Sequence, residues 1–155
     1  MLAGTNSTNV CTWDWGPTPS TVNKVLIGGG LLDANIYLAT EGGETRGEKL
    51  IGGGPTDLML EAEWLPDGSG FLFSLSTGSA ANLYKYSFAS KTATQITHFE
   101  NEFLRSFSIS PDGQSVVFDR AKEFRDQRPD LWVMRIDGRD MRLLVRNASS
   151  PSWGR

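Results

Sequence analysis

A turn sequence recurs in this chain. Pro66-Asp67-Gly68 is followed 45 residues later by Pro111-Asp112-Gly113, and the segments behind the two copies also match. Phe71-Leu72-Phe73-Ser74 answers Val116-Val117-Phe118-Asp119, and Asn82-Leu83-Tyr84 answers Asp130-Leu131-Trp132. In each turn proline presets φ at one corner, and glycine supplies the positive φ that closes it. A chain repeating at this spacing folds as a row of like units, each burying its faces against its neighbours.

Each unit reads as four short strands. In the third, residues 103–147, alternation predicts strands at 104–109, 115–119, 131–136 and 141–145, with Asp137-Gly138 as a hairpin turn. The second, 58–102, predicts strands at 61–65, 70–76, 83–88 and 94–97. The first, 10–57, is looser. Trp13-Asp14-Trp15 stands where Ala62-Glu63-Trp64 stands one unit later, and strands follow at 25–27, 35–39 and 48–51. Its turn is degraded to Gly16-Pro17-Thr18-Pro19. Residues 148–155 read as a leftover strand, with Trp153 at the place of Ile109, and residues 1–9 as a flexible N-terminal segment. The fold class expected is all-β, a partial β-propeller of three four-stranded antiparallel blades.

These residues resemble the TolB-like family of WD-repeat-related propellers. The resemblance rests on the Pro-Asp-Gly turn and on the Asp or Asn opening the third strand (Asn35-Ile36-Tyr37, Asn82-Leu83-Tyr84, Asp130-Leu131-Trp132). Asp137-Gly138 and the closing Pro151-Ser152-Trp153 add to it. It implies an interaction or ligand-binding platform, or the propeller part of a larger enzyme, and carries over no catalytic residue. Family propellers close with about six to eight blades, whereas three leave two broad apolar faces bare. Two readings stay open. The chain is the C-terminal part of a truncated propeller, or it pairs with itself, a homodimer giving six blades. In the second reading 151–153 could complete a sheet in the partner, although Trp13-Asp14-Trp15 claims the same place in the first blade.

Composition excludes several function classes. With 15 basic against 18 acidic residues and no basic cluster, nothing asks for a nucleic-acid backbone. The single cysteine, Cys11, forms no intrachain disulfide, and the single histidine, His98, has no partner motif for zinc or nucleophilic catalysis. No cofactor or metal is expected. No stretch of about 18 apolar residues spans a membrane. The polar N-terminus lacks a signal-peptide pattern, so the chain reads as cytoplasmic, or periplasmic if it is a fragment of a longer secreted protein.

Asp67 and Asp112 read as turn-holding side chains, since an active site rarely recurs in every unit. The glycine triplets at 28–30 and 52–54 lack the lysine and the following helix of a phosphate loop. Trp64, Trp132 and Trp153 fall at apolar core positions, leaving Trp13 and Trp15 as candidates for ligand contact. The charged connection 120–130 is the most informative loop, and Arg120, Lys122, Arg125 and Arg128 are its candidate recognition residues. In a propeller its companions on one loop face would be Asp57, Ser79, Asn82, Asn101 and Glu102. The function expected is a non-catalytic binding or scaffolding module for a protein, a peptide or a small polar ligand. The alternative is the propeller part or accessory subunit of a hydrolase whose catalytic residues lie elsewhere.

Overall fold

The computed structural model describes residues 13–28, 34–43 and 47–154. The N-terminal segment 1–9, Cys11 and Gly29-Gly30 lie outside the described residues. Twelve strands are present in these, and no helix long and apolar enough to cross a membrane. The first blade is β1 (Trp13–Trp15), β2 (Lys24–Gly28), β3 (Asn35–Thr40) and β4 (Glu48–Gly52). The second is β5 (Leu58–Trp64), β6 (Gly70–Ser76), β7 (Ala81–Ser87) and β8 (Thr92–Gln95). The third is β9 (Phe103–Ile109), β10 (Ser115–Ala121), β11 (Asp130–Arg135) and β12 (Arg142–Val145). Within each blade neighbouring strands pair antiparallel in chain order. A single parallel bridge, Ala81 opposite Phe103, joins the second blade to the third.

Strand periodicity explains the stacking. In β6 the side chains of Phe71 and Phe73 point to one face and that of Leu72 to the other. All three are buried, because this middle blade is covered on both sides. Phe71 and Phe73 join Leu26, Ile36, Met59 and Trp64 in the core between the first two blades. Leu72 joins Leu83, Leu104, Phe107, Val116 and Phe118 in the core between the second and third. Trp132 packs on the edge of that core, as its position in the repeat requires.

The repeated turns are held by their aspartates. Asp67 Oδ1 accepts the Ser69 N–H at 2.9 Å and its hydroxyl at 2.7 Å. Asp112 Oδ1 accepts the Gln114 N–H at 3.0 Å and the Ser110 hydroxyl at 2.5 Å. For Asp67 the Ser69 bonds, and for Asp112 the Ser110 hydroxyl and then the Gln114 N–H, hold the carboxyl below its ordinary value. Gly68 and Gly113 take φ of 72° and 69°, the left-handed corner that glycine occupies freely. In the first blade threonines take over: the Thr18 N–H donates to Thr21 Oγ1 at 3.1 Å, and the two hydroxyls are 2.8 Å apart.

Several strand boundaries differ from the alternation pattern, and two have a visible cause. Strand β5 begins at Leu58 because a bulge between Met59 and Glu61 lets pairing continue past the break in alternation. Strand β8 ends at Gln95 because Thr97 turns inward, donating its hydroxyl to Asn82 Oδ1 and accepting the Leu83 N–H.

Candidate binding face

In the second and third blades the Asn or Asp that opens the third strand has a structural task. Asn82 Oδ1 accepts the Phe99 N–H at 2.7 Å, and its Nδ2 donates to the Phe99 carbonyl at 3.0 Å. In the next blade Asp130 Oδ1 accepts the Asn147 N–H at 2.9 Å. Both bonds reach 17 residues forward, to the segment leaving the fourth strand. Each side chain clamps the crossover to the inner strand of the next blade. Asn82 is buried with both amide atoms engaged, so this candidate faces inward and offers no free group to a ligand.

The clamps bring loops together at one end of the blades. The Ala81 N–H donates to the Glu102 carbonyl, and the Ala148 N–H to the Pro129 carbonyl. Segments 53–57, 77–80, 99–102, 122–129 and 146–150 therefore share a face. On it Ser79, Asn101, Lys122, Arg125 and Arg128 are exposed, while Asp57 accepts the Gly54 N–H in its own turn at 2.7 Å.

The loop 122–129 is held from below. Arg105 Nη1 donates to the carbonyls of Phe124 at 3.1 Å and Asp126 at 2.8 Å. Its Nη2 meets Asp119 Oδ2 at 3.3 Å. A bulge between Phe118 and Arg120 frees Asp119 to accept the N–H groups of Arg105 and Ser106, each at 3.0 Å. Phe124, half-exposed, sets its ring edge on Phe103 at 5.7 Å. Beside it an open groove of about 490 Å³ runs to Ser149 and Ser150 over Arg105 and Asp119. The loop thus presents cations and a ring on a fixed backbone.

Arg120 is not part of that display. Its guanidinium lies between the Phe99 and Trp132 rings, at 4.6 and 4.7 Å, and its Nε donates to Glu102 Oε2 at 3.1 Å. Arg120 and Glu102 close the edge of the inter-blade core. Trp13 heads β1 opposite Ile27. Trp15, 42 % exposed, ends β1 where the Gly16-Pro17 turn begins, so the structure does not bring it to the loops.

The inner strands carry a feature that the repeat alignment left unread, a ladder of acceptors. Asp14, Glu61 and Glu63 reach from one inner strand to backbone N–H groups of the next; Glu61 Oε2 accepts the Phe107 N–H at 2.8 Å. Burial pushes the Glu61 carboxyl above its ordinary 4.5, opposed by the Phe107 bond and the Ser106 hydroxyl, and helped by Asp119 and Asp14. With the folded value above the unfolded one, the folded state holds more protons between the two, so stability falls as pH rises through that window. Glu61→Gln keeps an acceptor for Phe107 and removes the titration. We expect the variant's melting temperature to decline less from pH 4.5 to 7 than that of the parent chain; parallel curves would refute this.

No protein-family model matches the chain. TolB of the Tol-Pal system from Anaeromyxobacter dehalogenans (strain 2CP-1 / ATCC BAA-258) is 27 % identical over 99 residues, 62 % of this chain and 22 % of that protein. The crystal structure of TolB from Acinetobacter baumannii superposes with a TM-score of 0.63 at 19 % identity, over 88 % of this chain and 34 % of the other. The fold is that of a TolB-like β-propeller. An oligogalacturonate lyase from Vibrio parahaemolyticus gives 0.64 at 16 % identity, over 92 % and 42 %. The chain spans about a fifth of the curated relatives that it matches. The TolB-like fold thus also occurs in an enzyme, and a fold alone does not choose between roles.

Proposed function

We propose that this is a binding module whose β10–β11 loop recognises a protein or peptide bearing carboxylates beside an apolar side chain. One observation carries the reading: a loop pinned by Arg105 exposes Lys122, Arg125, Arg128 and Phe124 together. Loops fixed in advance lose little entropy on binding, and exposed Arg with an aromatic neighbour suits carboxylate and apolar contacts. The TolB likeness favours the periplasmic alternative over a cytoplasmic site. The propeller part of a hydrolase remains the second reading, supported by a prolyl endopeptidase among the structural neighbours.

Selecting a random peptide library on the immobilised chain tests the first reading. We expect enriched peptides to combine Asp or Glu with an apolar residue. A variant carrying Lys122→Glu, Arg125→Glu and Arg128→Glu, shown folded by circular dichroism, should bind them about 10-fold or more weakly. Equal binding to both proteins, or no acidic enrichment, would reject the loop as the recognition element.

A further inference from the structure

Three junctions between inner strands follow one rule. Asp14 Oδ2 accepts the backbone N–H of Trp64 at 2.9 Å, and Glu63 Oε2 accepts that of Ile109 at 3.1 Å. Ser108 Oγ accepts that of Trp153 at 3.3 Å. The acceptors are equivalent places in successive units, one residue ahead of the place that donates. Two junctions share a second bond. The Trp64 indole N–H donates to the Asp14 carbonyl at 3.2 Å, and the Trp153 indole N–H to the Ser108 carbonyl at 3.0 Å. Residues 150–153 therefore lie on the third blade where the inner strand of a following blade belongs.

The two ends of the stack are complementary. Trp153 is 36 % exposed, whereas Trp64, in the same place with a whole blade behind it, is 4 % exposed. At the other end the donor place of the first blade belongs to Trp15, 42 % exposed, with no preceding inner strand among the described residues to accept from it. Trp15 and Val25 sit opposite each other on β1 and β2, as Trp64 and Phe71 do on β5 and β6.

We propose that a second copy of this chain docks head to tail, its Asp14-Trp15 displacing Ser152-Trp153 from Ser108. Residues 150–153 are then a removable plug over the apolar end of the third blade. The docked contact repeats the junction that the chain already makes between its own blades. Made twice about a two-fold axis, it closes a ring and leaves neither apolar end bare.

The test is light scattering over a concentration series, on the chain with and without residues 150–155. Removing the plug is expected to shift the monomer–dimer equilibrium about tenfold or more toward twice 17.0 kDa. In the shortened chain Trp15→Ser should restore the monomer. Trp15→Phe, which keeps a ring for folding but has no indole N–H, should weaken the dimer by a smaller factor, and it decides the matter if the serine variant melts early. A monomer at every concentration, with and without residues 150–155, overturns the proposal and leaves these faces to other blades of a longer polypeptide. A dimer that neither Trp15 substitution weakens overturns it too, since the copies then meet elsewhere.

Discussion

Replacing Phe71 with alanine is expected to lower the unfolding free energy by about 3–5 kcal/mol, read as a fall in the urea midpoint with an unchanged slope. The ring is fully buried in the central strand of the central blade. It stacks on Tyr86 at 4.9 Å and meets Phe73 and Phe88, each at 5.9 Å. Truncation removes those contacts and opens a cavity that two strands of fixed register close poorly. Because the lost packing joins the first and second blades, the variant should loosen the first blade before the third. Hydrogen exchange would show this as faster exchange in β2 and β3 than in β10 and β11. Uniform acceleration across all three blades would mean that they unfold as one unit. As a control, Val22→Ser, at a position left exposed, should change stability by less than about 0.5 kcal/mol.

The strands were legible because repetition gives each one a second witness. Gly70–Ser76 alone is an apolar run that a buried helix could also show; aligned with Ser115–Ala121 behind the same turn, it is a strand. Asp67 and Asp112 were assigned to turns by the same reasoning, and their carboxylates accept the bonds that a turn requires. Strand boundaries slipped where geometry departs from alternation. The bulge at Leu60 and the inward turn of Thr97 both depend on partners distant in sequence, and no local pattern records them.

The candidate face was less legible, because exposure and charge do not say what a side chain is tied to. Lys122, Arg125 and Arg128 stand exposed, yet Arg120, in the same charged run, is enclosed between two rings. The clue to Arg120 was its place in the strand period: it follows Phe118 by two, and so shares a face with a core residue. Asn82 carried a clue of the same kind. An Asn or Asp recurring at the head of each third strand argues for a task performed once per blade, and in the second and third blades that task is clamping the segment that leaves the fourth strand.

Asp119→Ala should be about as damaging as the loss of Phe71, for an electrostatic reason. The carboxylate is buried and accepts two backbone N–H groups as well as the Arg105 guanidinium. Removing the buried carboxylate strands two buried backbone N–H groups and the partly buried Arg105, at a cost of about 3–5 kcal/mol. Asp119→Asn keeps an oxygen for the two N–H groups but loses the charge and the acceptor facing Arg105 Nη2, so it should cost less than alanine, about 1–2 kcal/mol. The pair also separates a stability role from a binding role. Arg105 without Asp119 is no longer oriented toward the carbonyls of Phe124 and Asp126, so the loop loses its support. Limited trypsin digestion under native conditions reads this directly, since Lys122 and Arg125 are the cleavage sites in the loop, Arg128 being protected by Pro129 after it. Cleavage there should accelerate about tenfold in Asp119→Ala at a urea-free temperature well below melting, and much less in Asp119→Asn. Unchanged cleavage in both would show that the loop keeps its shape without the ion pair. Phe124 on Phe103 would then be its anchor, and fixing the recognition loop would rest on an aromatic contact rather than on Arg105.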